Sequence, residues 1–211
     1  MICLQEINLQ TFEEFQEVLL DYEGAFAIKE DHALKVNDRV CTFSKKSKFK
    51  KVSNNCVFCD RSSRCGKLAI RPAMFTELTL KNDEKVTVIN TKLGYSRVVE
   101  ANDGVWNHLH FLLKKIPQEK VLFMGDFNRT PDHFLIKDIL NIGLKDVLAE
   151  ENRPTCFAKT CRKVKRVDYI FASKDLITSP LSCSLLSDKD PIPSREEPSD
   201  HVPILCHVMV K

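Results

Sequence analysis

Asp126 and Asn128 follow the apolar run Val121-Leu122-Phe123-Met124 and a single glycine. A buried strand that ends in Gly and carries Asp and Asn two residues apart sets both side chains on one edge. One offers a hard anionic oxygen and the other a neutral amide, a pair suited to a Mg²⁺-bound phosphate. Three more polar groups interrupt apolar runs in the same manner. Gln5-Glu6 follows Ile2-Cys3-Leu4, Asp168 sits inside Arg166-Val167-Asp168-Tyr169-Ile170-Phe171, and Ser199-Asp200-His201 precedes Val202-Pro203-Ile204-Leu205. A carboxylate embedded in such a strand is penalised by on the order of several kcal/mol unless it is paired or metal-bound. Four such interruptions in one chain argue for a common site.

The residue types fit phosphodiester hydrolysis. Glu6 is a candidate metal ligand, with Asp200 as a second. Asp126 can take a proton from an attacking water, and Asn128 can hold that water or a phosphate oxygen. His201 can bind a non-bridging oxygen as charge develops there, and Asp200 can fix its tautomer. Mg²⁺ needs only one or two protein carboxylates, with Mn²⁺ as an alternative occupant. Each residue taken alone also has a plain structural reading. Glu6 would end a strand, Asp126 would sit in a turn after Gly125, and Asn128 would cap a helix. Asp168 would pair with Arg166, and His201 would be a satisfied core histidine. His108, His110 and His133 carry no motif and read as structural or solvated.

The elements that must position these groups are strands alternating with helices. Ile2–Leu4 opens the chain as a strand, and Thr11-Phe12-Glu13-Glu14 reads as a capping box. The helix behind it sets Phe12, Phe15, Val18 and Leu19 on one face. Residues 24–28 and 39–43 read as strands, 44–51 as a basic stretch with five lysines, and 54–66 as a polar loop. Residues 74–80 and 85–90 flank the turn-like Lys81-Asn82-Asp83-Glu84 and predict a hairpin. The spacing Ala101, Val105, Leu109, Leu112, Leu113, Ile116 predicts a helix over 98–116, closed by Pro117. Asp132 is the expected cap of a helix through Leu140 that ends at Gly143. Further strands are expected over 167–172, 181–186 and 202–210. This alternation indicates an α/β domain with added antiparallel hairpins.

Composition narrows the setting. The 211 residues allow one large domain. No apolar run approaches the roughly 20 residues of a membrane span. No basic segment followed by an apolar one marks a secretory signal. A net charge of +3 does not by itself point to nucleic acid. Nine cysteines, an odd number, several of them in apolar strands, read as reduced thiols in a cytoplasmic or nuclear protein. Cys56, Cys59 and Cys65, with Cys41 or a histidine, are an alternative zinc set. The basic run Lys159, Arg162, Lys163, Lys165, Arg166 abuts Asp168 and is a candidate for an RNA backbone, with Phe157 beside it to stack a base.

Leu4-Gln5-Glu6, Asn90-Thr91, Gly125-Asp126-Phe127-Asn128, Asp168-Tyr169-Ile170-Phe171 and Ser199-Asp200-His201-Val202-Pro203 occur in this order. The series resembles the endonuclease/exonuclease/phosphatase superfamily over nearly the whole chain. The stretch 36–49, Gly125–Asp132 and the approach to Asp200-His201 from Pro191 resemble its branch of Ccr–Not deadenylase, nocturnin and Angel proteins. The resemblance implies a two-sheet α/β sandwich, mixed sheets flanked by helices, as one catalytic domain over 1–211. It implies a Mg²⁺-dependent phosphodiesterase cutting RNA from its 3′ end, of the poly(A) deadenylase kind. The metal would sit on Glu6 and Asp200, with Asp126, Asn128, Asp168, Asp200 and His201 catalytic and Lys92, Asn128, Arg166 and Phe157 toward substrate. A monomer, an RNA substrate and a protein partner from an mRNA-decay complex follow from the same likeness. Alternatives are a phosphatase or repair nuclease on another nucleotide or DNA, and a catalytically impaired RNA- or protein-binding member. Three departures stand out. The family's leading strand, ending in a motif Asn, does not precede Glu6, so an open sheet edge is expected. Its Thr-His is Thr91-Lys92, and a glycine of the 36–49 stretch is Arg39.

Overall fold

The computed structural model describes residues 1–27, 39–59, 71–94, 99–157, 164–181, 193 and 199–211, without the side chains of 59, 71 and 99–104. The elements run β1 (Ile2–Ile7), α1 (Leu9–Val18), β2 (Tyr22–Phe26), β3 (Arg39–Lys45), β4 (Lys51–Cys59), β5 (Arg71–Thr79), β6 (Lys85–Lys92), α2 (Val99–Leu113), β7 (Val121–Asp126), α3 (Phe134–Asn141), β8 (Lys145–Asp146), β9 (Asp168–Ala172), β10 (Leu176–Leu181) and β11 (Leu205–Val210).

A six-stranded mixed sheet, ordered β4-β5-β6-β7-β9-β8, is the backbone of the fold. β6 and β7 are parallel, joined through α2, and the other neighbours are antiparallel. Alternation along β7 divides the core. Val121 and Phe123 enter a cluster with Leu109 and Leu112 of α2 and Leu135, Ile136 and Ile139 of α3. Leu122 points the other way, into a cluster with Val86, Val88 and Ile170, against which Cys3 of β1 and Cys206, Val208 and Val210 of β11 pack. The small sheets β1-β3-β2 and β10-β11 therefore cover the face that the helices leave. This is the two-sheet α/β sandwich. Among the described residues no helix is long and apolar enough to cross a membrane.

Several local expectations are corrected. Helix α1 is capped by Asn8, whose Oδ1 accepts from Thr11 N at 2.8 Å, so it starts before the Thr11–Glu14 box. Phe12 stacks on Phe26 and Phe43, as the apolar face requires, but Val18 ends the helix 72% exposed. Residues 54–59 extend β4 instead of opening a loop, because an edge strand can face water with its polar side chains; Asn54 also accepts from Thr76 Oγ1 at 2.8 Å. Helix α2 stops at Leu113, short of Ile116. Helix α3 is capped by His133, whose Nδ1 accepts from Leu135 N, while Asp132 accepts from Thr130 Oγ1. Strand β10 runs Leu176–Leu181, with Pro180 tolerated on an edge. Of the expected strand 181–186, residues 182–186 fall outside the described residues.

β6 and β7 approach closely at Gly125. A Cβ there would lie 1.8 Å from the Thr91 carbonyl oxygen, and Gly125 has φ +141°. Glycine is the residue type that meets both conditions. Gly125→Ala is expected to destabilise the protein by about 3–5 kcal/mol through combined clash and backbone strain. Urea unfolding measures this, and a loss under about 1 kcal/mol would show that the two strands separate without penalty.

Candidate active site

Register brings the chemistry together. Lys92, Asp126 and Asp168 are direct cross-strand neighbours at one end of β6-β7-β9. Directly opposed residues share a face, so one cation and two carboxylates line up on one edge. Burial leaves Asp126 and Asp168 at 5% and 8% exposure. Two carboxylates this close and this dry cannot both ionise without compensation.

Asp126 is held by Asn128. The Asn128 backbone N–H donates to Asp126 Oδ1 at 2.8 Å, and its side-chain amide donates to Asp126 Oδ2 at 2.9 Å and to Leu93 O at 2.8 Å. This wrap places Asn128 in the left-handed region, φ +52°, which Asn tolerates better than most residues. Both donors of the amide are used, leaving its oxygen as the group to face a water. Burial pushes the Asp126 carboxyl up, Asp168 adds to the push, and His201, the Asn128 amide and Lys92 pull back. The outcome is about 7.

Asp168 carries the second half. Thr155 Oγ1 donates to its Oδ2 at 2.5 Å, and His201 Nδ1 donates to the same oxygen at 2.8 Å. The Thr155 hydroxyl also accepts from Val167 N and Asp168 N, both at 3.1 Å, which saturates it. Partial burial opposes charge on His201, but the Asp168 bond and the charges of Asp168, Asp126 and Asp200 outweigh it. The imidazole is held charged up to about 9. The pairing that the sequence left open, Asp168 with Arg166, does not form. Arg166 donates to Asp146 Oδ1 at 2.5 Å, lies over the Tyr169 ring and is buried. It is a structural residue rather than one facing substrate, because its guanidinium is already committed to Asp146.

Glu6 arrives from the opposite sheet. The β1–β3 register shifts between Gln5 and Ile7, and Glu6 at φ +57° is the extra residue of that bulge. A bulge re-aims a side chain, and here the carboxylate meets the Lys92 ammonium. Asn90, fully buried two residues before Lys92, locks the approach. It donates to Leu4 O and Cys41 O at 3.1 and 2.9 Å and accepts from Gln5 Nε2 at 2.7 Å.

Asp200 stands with His201 and Cys156, the one group of three metal-type ligands among the described residues. Phe157 is half-buried, and its backbone N–H donates to Asp200 O at 2.8 Å. Lys159, Arg162 and Lys163 fall outside the described residues. Burial pushes the thiols of Cys41 and Cys56 up to about 12, and Cys56 packs beside Ala27, Val40 and Met74 as a core residue. The side chains of Cys59 and Cys65 fall outside the described residues. Gln5 and Asn90 lie in the sequence motifs but were given no role, and Thr155 and Cys156 were not anticipated as part of the site. Nothing in the local sequence of the latter two distinguishes them, since they are recruited across the chain by strand pairing.

Glu6 and Asp200 carry the hard carboxylate oxygens expected for a divalent cation, and among the described residues Asp200 is grouped within ligand reach of His201 and Cys156. Burial raises the Asp126 carboxyl first and the negative charge of Asp168 second, and a cation would relieve that charge. Lys92 relieves part of it already by holding Glu6.

A family model described as the endonuclease/exonuclease/phosphatase family matches residues 1–201. The 2′,5′-phosphodiesterase 12 of Mus musculus is 25% identical over 270 residues, covering all of this chain and 43% of that protein. The chain thus spans less than half the length of that relative. The catalytic domain of human nocturnin with bound sulfate superposes with a TM-score of 0.64 at 22% identity, over 99% of this chain and 80% of that one. ANGEL2, a 2′,3′-cyclic phosphatase in complex with adenosine-2′,3′-vanadate, gives 0.71 at 19% identity, over 98% and 80%. The expected superfamily and the expected fold are both borne out, with nocturnin and ANGEL2 among the solved structures of like fold.

Two consequences are measurable. Asp126 and His201 bind protons more tightly in the folded chain than at their ordinary values of 3.8 and 6.5. The His201 contribution to stability is complete below about pH 6.5 and is lost through about 9. The Asp126 penalty grows from about pH 4 to 7. Both make stability fall as pH rises across this window. Calorimetry in chelator is expected to show Tm declining from about pH 5 to about pH 9, and Asp168→Asn to flatten the decline; a rising Tm would contradict the arrangement. Separately, Lys92→Met removes a cation that competes for Glu6. Calorimetric titration is expected to give about tenfold tighter Mg²⁺ binding, and unchanged or weaker binding would remove Lys92 from the metal's surroundings.

Proposed function

Since the chain belongs to the endonuclease/exonuclease/phosphatase family, whose members hydrolyse phosphoester bonds, we propose that it is a divalent-metal-dependent phosphodiesterase acting on RNA from the 3′ end, of the deadenylase kind. The observation that carries this reading is the contact of Asp126 and Asp168 on one sheet edge, with His201 bonded to Asp168. Asp126 sits near 7 and His201 near 9, coupled through Asp168.

A general base works best when its pKa lies near the working pH. Asp126 meets that condition, and the Asn128 wrap fixes its carboxylate while the Asn128 oxygen orients the attacking water. His201 stays cationic at neutral pH and can hold a non-bridging phosphoryl oxygen as charge accumulates on it. Asp168, already bonded to Thr155 and His201, is a positioning residue and not a second base. Glu6 and Asp200 would hold Mg²⁺ or Mn²⁺, which supplies Lewis-acid stabilisation of the phosphoryl group when bound. Lys92 would pair with phosphate once Glu6 turns to the metal. Phe157 and Lys165 would face the RNA, and a protein partner from an mRNA-decay complex would extend that surface.

A 2′,5′-linked oligoadenylate is a second reading, favoured by the match of the whole chain to 2′,5′-phosphodiesterase 12. The experiment is degradation of 5′-labelled 3′,5′-oligo(A) and 2′,5′-oligo(A), with Mg²⁺ and with EDTA. The expected outcome is a Mg²⁺-dependent ladder shortening the 3′,5′ substrate from its 3′ end. Preference for the 2′,5′ linkage would select the second reading. Intact RNA in every lane from folded protein would leave a non-catalytic binder. Asp126→Ala is expected to lower kcat about 10²–10⁴-fold without loss of fold, and near-normal turnover would remove Asp126 as the base.

A further inference from the structure

We propose that Cys156, Asp200 and His201 form a second metal site, selective for a borderline or soft divalent cation of the zinc type and sharing Asp200 with the hard-oxygen position proposed at Glu6. One ligand atom from each residue lies within 4.8 Å of the others. The set is one sulfur, one carboxylate oxygen and one imidazole nitrogen. Thiolate and imidazole select zinc-type ions over Mg²⁺, which takes oxygen.

The backbone holds the three residues in place. Cys156 and His201 are partners in an antiparallel bridge. Phe157 N donates to Asp200 O and Val202 N to Thr155 O, both at 2.8 Å, so the two segments are stapled on each side of the thiol. On the other strand side Cys156 exchanges backbone hydrogen bonds with Lys165, at 2.9 and 3.0 Å. Tetrahedral zinc with bonds of about 2.0–2.3 Å needs ligand atoms about 3.5 Å apart. Side-chain rotation over a fixed backbone supplies the remaining closure.

The imidazole is already oriented for the task. His201 Nδ1 donates to Asp168 Oδ2 at 2.8 Å, which leaves Nε2 as the metal-binding nitrogen. A carboxylate behind the far nitrogen of a ligating histidine fixes its tautomer and raises its basicity. Asp168, itself anchored by Thr155, is that carboxylate. All three ligand residues are partly exposed, so an ion can enter from solvent and keep a water as fourth ligand. On binding, the Cys156 thiol and the His201 Nε2–H each give a proton to solvent. A consequence rests on the function proposed above: with Nε2 on zinc, His201 cannot hold a phosphoryl oxygen, and zinc would inhibit even under excess Mg²⁺.

Cobalt tests the site without turnover. Metal-free protein titrated with Co²⁺ is expected to develop a thiolate-to-cobalt charge-transfer band at one ion per chain, bleached by Zn²⁺ but not by Mg²⁺. The chain has nine cysteines, so the decisive quantity is the difference between wild type and variants of unchanged circular dichroism. Cys156→Ser is expected to abolish that band. Asp168→Asn is expected to keep the band but weaken Co²⁺ binding about 10–100-fold. His201→Gln serves as a second variant if Cys156→Ser does not fold, and is expected to weaken binding at least as much. A band retained at wild-type affinity in folded Cys156→Ser or His201→Gln, or no band in wild type, overturns the proposal. Because the readout is spectroscopic, an enzyme inactive on RNA would still give either answer.

Discussion

The approach of β7 to β6 at Gly125 sets the rest of the molecule. With the Thr91 carbonyl 1.8 Å from where a Cβ would stand, the strands can meet only at a glycine. That contact fixes their register, and the register places Asp126 opposite Lys92 on one side and Asp168 on the other. Had the register slipped by one residue, the polar side chains would face the helices and Phe123 would face the small sheets. The same alternation that divides the two apolar clusters therefore also aims the chemistry. Core and site are two readings of one strand pairing.

Placing two carboxylates side by side under low exposure creates an electrostatic problem that the neighbouring elements resolve. Thr155 and His201 both donate to one oxygen of Asp168, and Asn128 wraps Asp126 from the backbone outward. Desolvation then acts on the two titrating groups in opposite ways. It keeps Asp126 reluctant to ionise, while the charge of Asp168 prevents His201 from losing its proton. Environments that separate acid and base roles in this way are characteristic of hydrolytic centres. The bulge at Glu6 adds a carboxylate from the opposite sheet, and Asn90 keeps the two sheets at the spacing that contact needs.

Lys92 is the point at which this site differs from the family pattern. An ammonium is a compact, strongly hydrated charge with three donors and no acceptor. A neutral imidazole at that position could accept a proton or a hydrogen bond; Lys92 cannot. In the structure it neutralises Glu6 and lowers the Asp126 carboxyl. Lys92 therefore stands where a divalent cation would have to compete with it for Glu6.

By itself the sequence determined the family and the fold class, and it singled out the residues that the sheet brings together. Asp126, Asn128, Asp168 and His201 are legible because each sits in a short motif whose apolar flanks state its place at a strand end. The hairpin 74–90 and the core face of α2 are equally legible, since local periodicity decides them. Tertiary structure alone decided which groups touch. Arg166 was drawn to Asp146 rather than Asp168, because strand β8, two residues long and without its own signal, pairs there with β9. Cys156 and Thr155 joined the site through a bridge to a segment more than forty residues onward, and Asn90 through contacts with strands far upstream in the chain. Caps and edge strands diverged for the same reason. Asn8, His133 and residues 54–59 were settled by hydrogen bonds to neighbours, whose identity a local pattern does not carry. Local periodicity encodes which face of an element is apolar; it does not encode which distant polar group will meet the other face.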